Sequence, residues 1–498
     1  MRMKPALTLA VLATTLPFAQ SLPDALRNME AGNNTLKASQ ARVETANENH
    51  QASYGNFLPV VKLEATAMHM DRDIVMDLDP IRAALIQMQT YNMMQFQSAN
   101  IQKDIATQVG ALPANQQAAA TPVVTQKVKD AYQTGIEEKL QGQLPHFFDT
   151  VKTQNDWGVA LTAYQPLFHG GRILAAKQIA KARVNAAESD QERQKADLRR
   201  DFTRLYLQGA LLRQSIQLRT RALETIHRHR DRAQKLLDQG MADKATLLRA
   251  EMALAEATTS LADDSAKLQS VALTLGQLSG SGSPVVPTDT LSAPPRLTQE
   301  LEAMESRLAA NNPLLRSLSS QQEVAHKAIS VKTADFLPEV GLIGKYEFNH
   351  EAARSELQPI WLVGIRGTFT LFKGGNDWHT RQAAVSTERE VVAMRAEATA
   401  GLTAQFQRQK LSLRQARTRW ENLGAQTVLA RENHRVTAAR FEQGQATGLE
   451  VVDAWLAQQK SELERLSAAS DGWTSLEEIL WAGGNTTEFV NLWTGAKP

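Results

Sequence analysis

Few residues in this 498-residue chain have the types and spacing to do chemistry. Met68, His69 and Met70, with Met76, Met93 and Met94, offer the thioether and imidazole donors that suit soft metals. Thioethers also fill irregular apolar gaps, and no further ligands gather around these. His227 and His229 stand two apart in a helical stretch, so their rings do not face each other and form no chelate. Asp263 and Asp264 read as a solvated helix face. Glu450 and Asp453 lie three apart and share a helix face. Thr447-Gly-Leu-Glu450 is also a capping box, and acids in a first turn complement the helix dipole. There is no nucleotide-binding glycine loop, no His-Glu-x-x-His and no nucleophile elbow. The absence of cysteine removes disulfides, thiolate metal sites and cysteine nucleophiles together. The expectation is no enzyme, no cofactor and no metal, and a net charge of +2 gives no argument for nucleic acid.

The elements that would position such residues begin after an export signal. Within residues 1–21, Arg2 and Lys4 precede an apolar run from Ala6 to Leu16, and Ala19 or Ser21 offers a small residue for cleavage. That pattern predicts a secretory signal peptide, because the run is short of the ~20 residues a spanning helix needs. No other segment approaches 18 apolar residues, so membrane attachment falls to strands or surface helices.

The chain contains an internal repeat. "YQPLFHGG" ends at Gly171 and "TFTLFKGG" at Gly375; Trp157 and Trp361, Gly240 and Gly444, and Gly280 and Gly484 keep the same spacing of 204. Upstream, Asn33 recurs at Asn311 and Phe57 at Phe336, offset by 278 and 279. The halves therefore agree except for about 75 extra residues in the first copy, between Pro59 and Trp157.

Each repeat reads as a helical stretch (23–54 and 298–334), then two strands, then two long helices. Val61, Leu63, Ala65 and Ala67 alternate with Lys62, Glu64 and Thr66, and Trp157, Val159, Leu161 and Ala163 alternate in the same way. Their counterparts are Val340, Leu342, Tyr346 and Phe348, and Trp361, Val363, Ile365, Gly367 and Phe369. This is period-two patterning over ~10 residues, the length of a tilted transmembrane strand. Four strands cannot close a barrel, which needs at least about eight, and open edges are not tolerated in lipid. If the strands span a membrane, several chains must share one barrel.

The two tracts from 171 to 240 and from 375 to 444 contain no proline and, as continuous helix, would extend ~100 Å. Gly240 and Gly444 suit left-handed helix ends, and three residues on come Asp243 and Thr447 as N-caps of second helices. The expected division is a signal peptide 1–21, a first repeat 22–280, a linker 281–297, a second repeat 298–484 and a C-terminal tail 485–498. The first repeat holds a strand hairpin at about 58–168, with an insertion at about 69–156, and a helical hairpin 172–279. The second holds a strand hairpin at about 338–372 and a helical hairpin 376–482.

This layout resembles the TolC-like outer membrane efflux proteins of Gram-negative bacteria. The resemblance rests on the duplicated "LFxGG" after a strand, the "QG" helix hairpin followed by "TLLRAE" and "LEVVDA", and the terminal "LGQLSG", over about 22–484. It implies a mainly α protein with a transmembrane β-barrel. In such a homotrimer each chain gives four strands to a shared twelve-stranded barrel, above a long α-helical periplasmic tunnel. It further implies a passive exit duct in the outer membrane lipid. A periplasmic adaptor protein and an inner-membrane transporter would serve it, as part of a tripartite efflux pump or a type I secretion system. By the same resemblance Gly240, Asp243, Gly444 and Thr447 are adaptor-docking helix tips, and Gly170, Gly171, Gly374 and Gly375 are strand-to-helix bends. Glu450 and Asp453 match acids that constrict the periplasmic aperture, where three copies would set six carboxylates around one axis and favour cations. The first repeat has Thr246 and Arg249 there, so the ring would not be duplicated. The alternative is an exported coiled-coil structural or adhesin-like protein without a channel, its strands forming a soluble cap.

The insertion lies, on this reading, at the extracellular mouth, with two amphipathic helices at "PIRAALIQMQTYNMMQFQSANIQKDIATQV" and "TQKVKDAYQTGIEEKL" joined by "ALPANQQAAATP". It is a lid or contact site, or simply a variable loop, since loops tolerate insertion.

Overall fold

Elements follow the chain in two similar series. The first opens with β1 (Phe18–Gln20), α1 (Leu22–Gly32), α2 (Asn34–Gly55) and β2 (Val60–His69). The insertion adds β3 (Ile74–Asp77), α3 (Asp79–Phe96), α4 (Ser98–Gly110), α5 (Gln117–Gln143) and β4 (Phe148–Lys152) before the return strand β5 (Asn155–His169). Then come α6 (Arg172–Asp238), α7 (Lys244–Leu278) and β6 (Val285–Pro287). The second series is α8 (Gln299–Asn311), α9 (Pro313–Ala334), β7 (Glu339–Glu347), β8 (Trp361–Thr368), α10 (Asn376–Glu442), α11 (Gly448–Ala482) and α12 (Glu488–Gly495). The computed structural model describes residues 18–241, 243–296, 298–348 and 359–495. Residues 1–17 of the expected signal peptide, 349–358 of the second strand hairpin and the last three of the expected tail lie outside the described residues.

The chain divides into two units, one (residues 56–169 and 338–369) holding the strands β2–β5, β7 and β8 with the insertion helices α3–α5, and one holding the remaining helices with β1 and β6. In the first, β2, β5, β7 and β8 form one antiparallel sheet in that order. Alternation sets which residues share a face, and the register aligns the four apolar rows. Leu63 pairs with Leu161, Leu161 with Tyr346, and Tyr346 with Trp361. Lys62, Thr162 and Lys345 align on the other face. The insertion differs from its expected form. The first helix stops at Gln97 and restarts as α4, and α5 begins at Gln117, taking in residues expected as a linker, with Pro122 in its first turns. A small hairpin, β3 with β4, closes its base.

In the helical unit α6 and α10 each run 67 residues and α7 and α11 each run 35. The two leading helices are each broken once, unlike the expected continuous stretches. Asn33 caps α2, accepting from the Thr35 N–H at 2.8 Å, while its amide donates to the Leu278 carbonyl at 2.7 Å. Asn312 caps α9 and donates to the Trp481 and Ala482 carbonyls at 3.2 and 3.0 Å. Each asparagine thus satisfies orphan groups of two helices at once. The counterpart of Asn33 is therefore Asn312, not Asn311, and its offset becomes 279, the same as that of Phe57 and Phe336.

The core gathers Leu22, Met29, Phe202, Tyr206, Leu275, Leu315, Phe406, Trp473 and Leu480 from both repeats. Two segments expected to be plain connections join it. The expected linker supplies β6, which pairs in parallel with β1, and Val285 is buried. The expected tail supplies α12, whose Phe489 and Trp493 pack edge-on against Trp473 at 5.9 and 4.8 Å. Asp264 is likewise not on a solvated face. It is buried between α7 and α6, accepting from Ser215 Oγ at 2.6 Å and Arg219 Nε at 2.7 Å.

One buried acid gives a pH-dependent prediction. Glu477 on α11 is 2% exposed, and burial pushes its carboxyl up to about 8 against the pull of Arg199 and Arg200. Arg199 is itself engaged by Glu30 at 2.5 Å. The fold therefore holds Glu477 protonated, whereas the unfolded chain ionises it above about 4.5. Its contribution is complete below pH ~4.5 and is lost as pH rises toward 8. Glu477→Gln should thus raise the apparent melting temperature at pH 8.5, by an amount corresponding to a few kcal/mol (roughly 1.4 kcal/mol for each tenfold difference in proton affinity), and change little at pH 4.5. Thermal unfolding of both proteins across that range checks it.

Candidate functional site

Two features of the chain are built for more than packing: the ends of the long helix hairpins and the exposed face of the sheet. At the first hairpin end, Gly240 takes φ +71°, a left-handed conformation that side chains resist. The Gly240 and Met241 N–H groups then donate to the Leu237 and Leu236 carbonyls at 2.9 and 2.8 Å, closing α6. Asp243 caps α7, accepting from the Thr246 N–H at 2.9 Å and its hydroxyl at 2.6 Å. Those two bonds hold the Asp243 carboxyl below its ordinary range.

The second end repeats the design. Gly444 has φ +70°, and the Gly444 and Gln445 N–H groups donate to the Phe441 and Arg440 carbonyls at 3.0 and 2.9 Å. Thr447 caps α11, accepting from the Glu450 N–H at 3.3 Å. The reciprocal half of the expected capping box differs, because the Glu450 carboxylate accepts from the Thr447 hydroxyl at 3.2 Å. Glu450 and Asp453 are both exposed, while Val451, Val452, Ala454 and Trp455 between and beyond them are buried. Val452 and Trp455 pack on Ala222, Ile226 and Ala253, so the second hairpin's inner face is fixed on the first. The acids consequently share the face turned away from that packing. Thr246 and Arg249 occupy the matching turn of α7, with Arg249 exposed.

Sequence reasoning missed Gly448. A Cβ there would sit 2.4 Å from Thr246 Cγ2, so the first turns of α11 and α7 touch through a missing side chain. The available signal was a glycine inside a capping box, where almost any other residue is the better helix former.

At the other candidate positions, Gly170, Gly171, Gly374 and Gly375 have φ of +59°, +79°, +63° and +76°. Two successive left-handed residues turn the chain directly into α6 or α10, for which Gly171 and Gly375 are the N-caps. Gly170 is additionally confined, since a Cβ would lie 2.7 Å from the Ala334 carbonyl oxygen.

The sheet's apolar face is bare in the single chain: Leu63, Trp361, Val363 and Ile365 are 67, 65, 66 and 72% exposed. Its outer strands, β2 and β8, each have one neighbour in the sheet. Met68, on β2, is exposed, and His69 Nδ1 lies 2.7 Å from Asn155 Oδ1 across the strand pair. No helix among the described residues is long and apolar enough to cross a membrane, and none of them form a group of three or more His, Cys, Asp or Glu suited to a metal.

A sequence model of the outer membrane efflux protein family matches residues 25–281 and 305–480. No curated protein sequence matches the chain. Among solved structures, a membrane protein from Pseudomonas aeruginosa is similar with a TM-score of 0.69 at 15% identity, over 95% of this chain and 92% of that one. The outer membrane protein VceC from Vibrio cholerae is similar with a TM-score of 0.67 at 14% identity, over 93% and 96%. The Campylobacter jejuni CmeC outer membrane channel is similar with a TM-score of 0.67 at 12% identity, over 96% and 90%.

Proposed function

Because the chain belongs to the outer membrane efflux protein family, we propose that this outer membrane channel is the passive exit duct of a multi-component export machine, a tripartite efflux pump or a type I secretion system. Three copies each contribute β2, β5, β7 and β8 to a shared twelve-stranded barrel, and the long helices form the periplasmic tunnel. An adaptor protein docks at the hairpin ends around Gly240, Asp243, Gly444 and Thr447, and an inner-membrane transporter supplies energy and cargo choice. The observation that carries this reading is the sheet: an apolar face whose rows align across all four strands from Leu63 to Trp361, with one register shift at Pro166–Phe168, and two unpaired outer edges. Lipid covers such a face at no cost, and only closure with further copies satisfies such edges. Reconstitution in a planar bilayer tests it. Discrete conductance steps from a species with the mass of three chains are expected, and a non-conducting monomer would overturn the reading.

Within that duct, Glu450 and Asp453 form the acidic constriction. Their exposure beside a buried anchoring face supports this role, since three copies would bring six exposed carboxylates to one passage. The double variant Glu450→Ala/Asp453→Ala should conduct more at rest, and its cation-over-anion permeability ratio should fall toward about one, as removal of a charged ring requires. Single-channel recording under a salt gradient measures both, and an unchanged ratio would remove these residues from the gate.

A further inference from the structure

His229 has a partner that its sequence neighbourhood does not reveal. It is not His227, two residues away, but His434 on α10, from the other repeat. The two Nε2 atoms lie 3.4 Å apart, with the rings near perpendicular at 72°. Both side chains are partly buried. They sit eleven and ten residues before Gly240 and Gly444, on the order of 15 Å along the helices from the tips.

We propose that His229 and His434 form a two-histidine site for a divalent transition-metal ion of the zinc class, bridging α6 to α10 near the hairpin ends. Three observations carry the assignment. The 3.4 Å separation equals the edge spanned by two nitrogens on a tetrahedral ion, roughly 3.3–3.4 Å for metal–nitrogen bonds of about 2.0–2.1 Å. It is also long for a hydrogen bond between two neutral rings, so packing alone gains little from it. The outer nitrogen of His434 is already fixed: Nδ1 lies 2.8 Å from Gln458 Oε1 and donates to it. Gln458 in turn donates to Glu462 at 3.1 Å, and Glu462 holds Arg431 at 2.8 Å. That relay sets the tautomer and leaves the Nε2 lone pair directed at His229, the arrangement that orients metal-ligating imidazoles. No third acid, thiolate or imidazole joins the pair among the described residues, so water fills the remaining positions and the ion exchanges freely.

An ion held there ties the first hairpin to the second. The assignment rests on side-chain geometry alone and stands or falls separately from the export reading. The test uses the purified full-length protein in detergent, stripped with chelator and titrated calorimetrically with Zn2+. One ion per chain is expected. His434→Gln should lower the affinity at least about tenfold, and Gln458→Leu, which removes only the orienting bond, about 10–100-fold. His227→Ala should bind as the parent does. Equal affinity and stoichiometry in the parent and in His229→Gln/His434→Gln would overturn the site. A readout that needs no variant is the electron paramagnetic resonance of bound Cu2+. Coupling to two imidazole nitrogens supports the bridge, and coupling to one or none rejects it.

Discussion

Asp289→Ala should lower the stability of the helical unit by about 3–5 kcal/mol, among the largest losses that one substitution causes here. Asp289 is buried, and its Oδ2 accepts from the Leu22 N–H at 2.9 Å, the Trp493 indole N–H at 3.0 Å and the Tyr206 hydroxyl at 3.1 Å. These donors come from α1, α12 and α6, so one carboxylate ties the start of the described chain, its end and a tunnel-length helix together. Alanine leaves the buried Leu22 and Trp493 N–H donors unpaired, each costing ~1–3 kcal/mol and partly offset by whatever water enters, while the Tyr206 hydroxyl keeps its other acceptor, the Gln20 carbonyl at 2.8 Å. Burial, with the neighbouring Asp289 charge, also raises the Tyr206 hydroxyl far above its ordinary pKa, so it remains a donor throughout the working range. Asp289→Asn keeps one acceptor oxygen and should lose less than alanine does. Limited proteolysis supplies the local readout, because cleavage near α12 should appear well before the long helices are cut. If alanine leaves both the melting temperature and the cleavage pattern unchanged, the network contributes little.

The same network shows why only part of the fold was legible in the sequence. Strands and long helices announce themselves locally: Val61-Leu63-Ala65-Ala67 alternates with period two, and Gly240 and Gly444 interrupt tracts free of proline. What stayed hidden depends on partners far along the chain. The breaks at Asn33 and Asn312 exist because each amide finds carbonyls 245 and 169–170 residues away. β1 forms only against β6, and a three-residue strand has no pattern of its own. Asp264 looked solvated because its partners, Ser215 and Arg219, belong to another helix. α12 is the exception, since Phe489, Leu492 and Trp493 in "EFVNLWTG" mark an amphipathic turn in the sequence itself. Among candidate site residues, the turn glycines were readable from conformational need. Gly448 showed only as an odd glycine inside a capping box, and its close contact with Thr246, like the His229–His434 contact, is defined by a neighbouring helix.

Ile365→Arg should block assembly in the membrane, at a cost of ~2–4 kcal/mol for each copy placed near the bilayer midplane. Ile365 lies mid-strand in β8 and is 72% exposed in the single chain. That exposure makes the substitution decisive. On a face that stays in water, arginine in place of an exposed isoleucine changes stability by only about ±0.5 kcal/mol. The larger penalty arises only if something apolar covers the face. Lipid and a protein partner are then separated by position, because the lipid cost depends on depth. Trp361→Arg, at the first residue of β8, should cost only about 0–1 kcal/mol if that end lies at an interface, whereas a packed protein surface would penalise loss of the tryptophan most. Ile365→Leu keeps the apolar character and should assemble as the parent does. Arg366, on the other face of the same strand, can become glutamine without effect on insertion. The measurement is the fraction of each variant recovered as a detergent-extracted trimer from the membrane. A graded loss, severe at 365, slight at 361 and absent at 366, is the signature of a strand crossing lipid. Equal recovery of all four variants would leave the sheet outside the membrane.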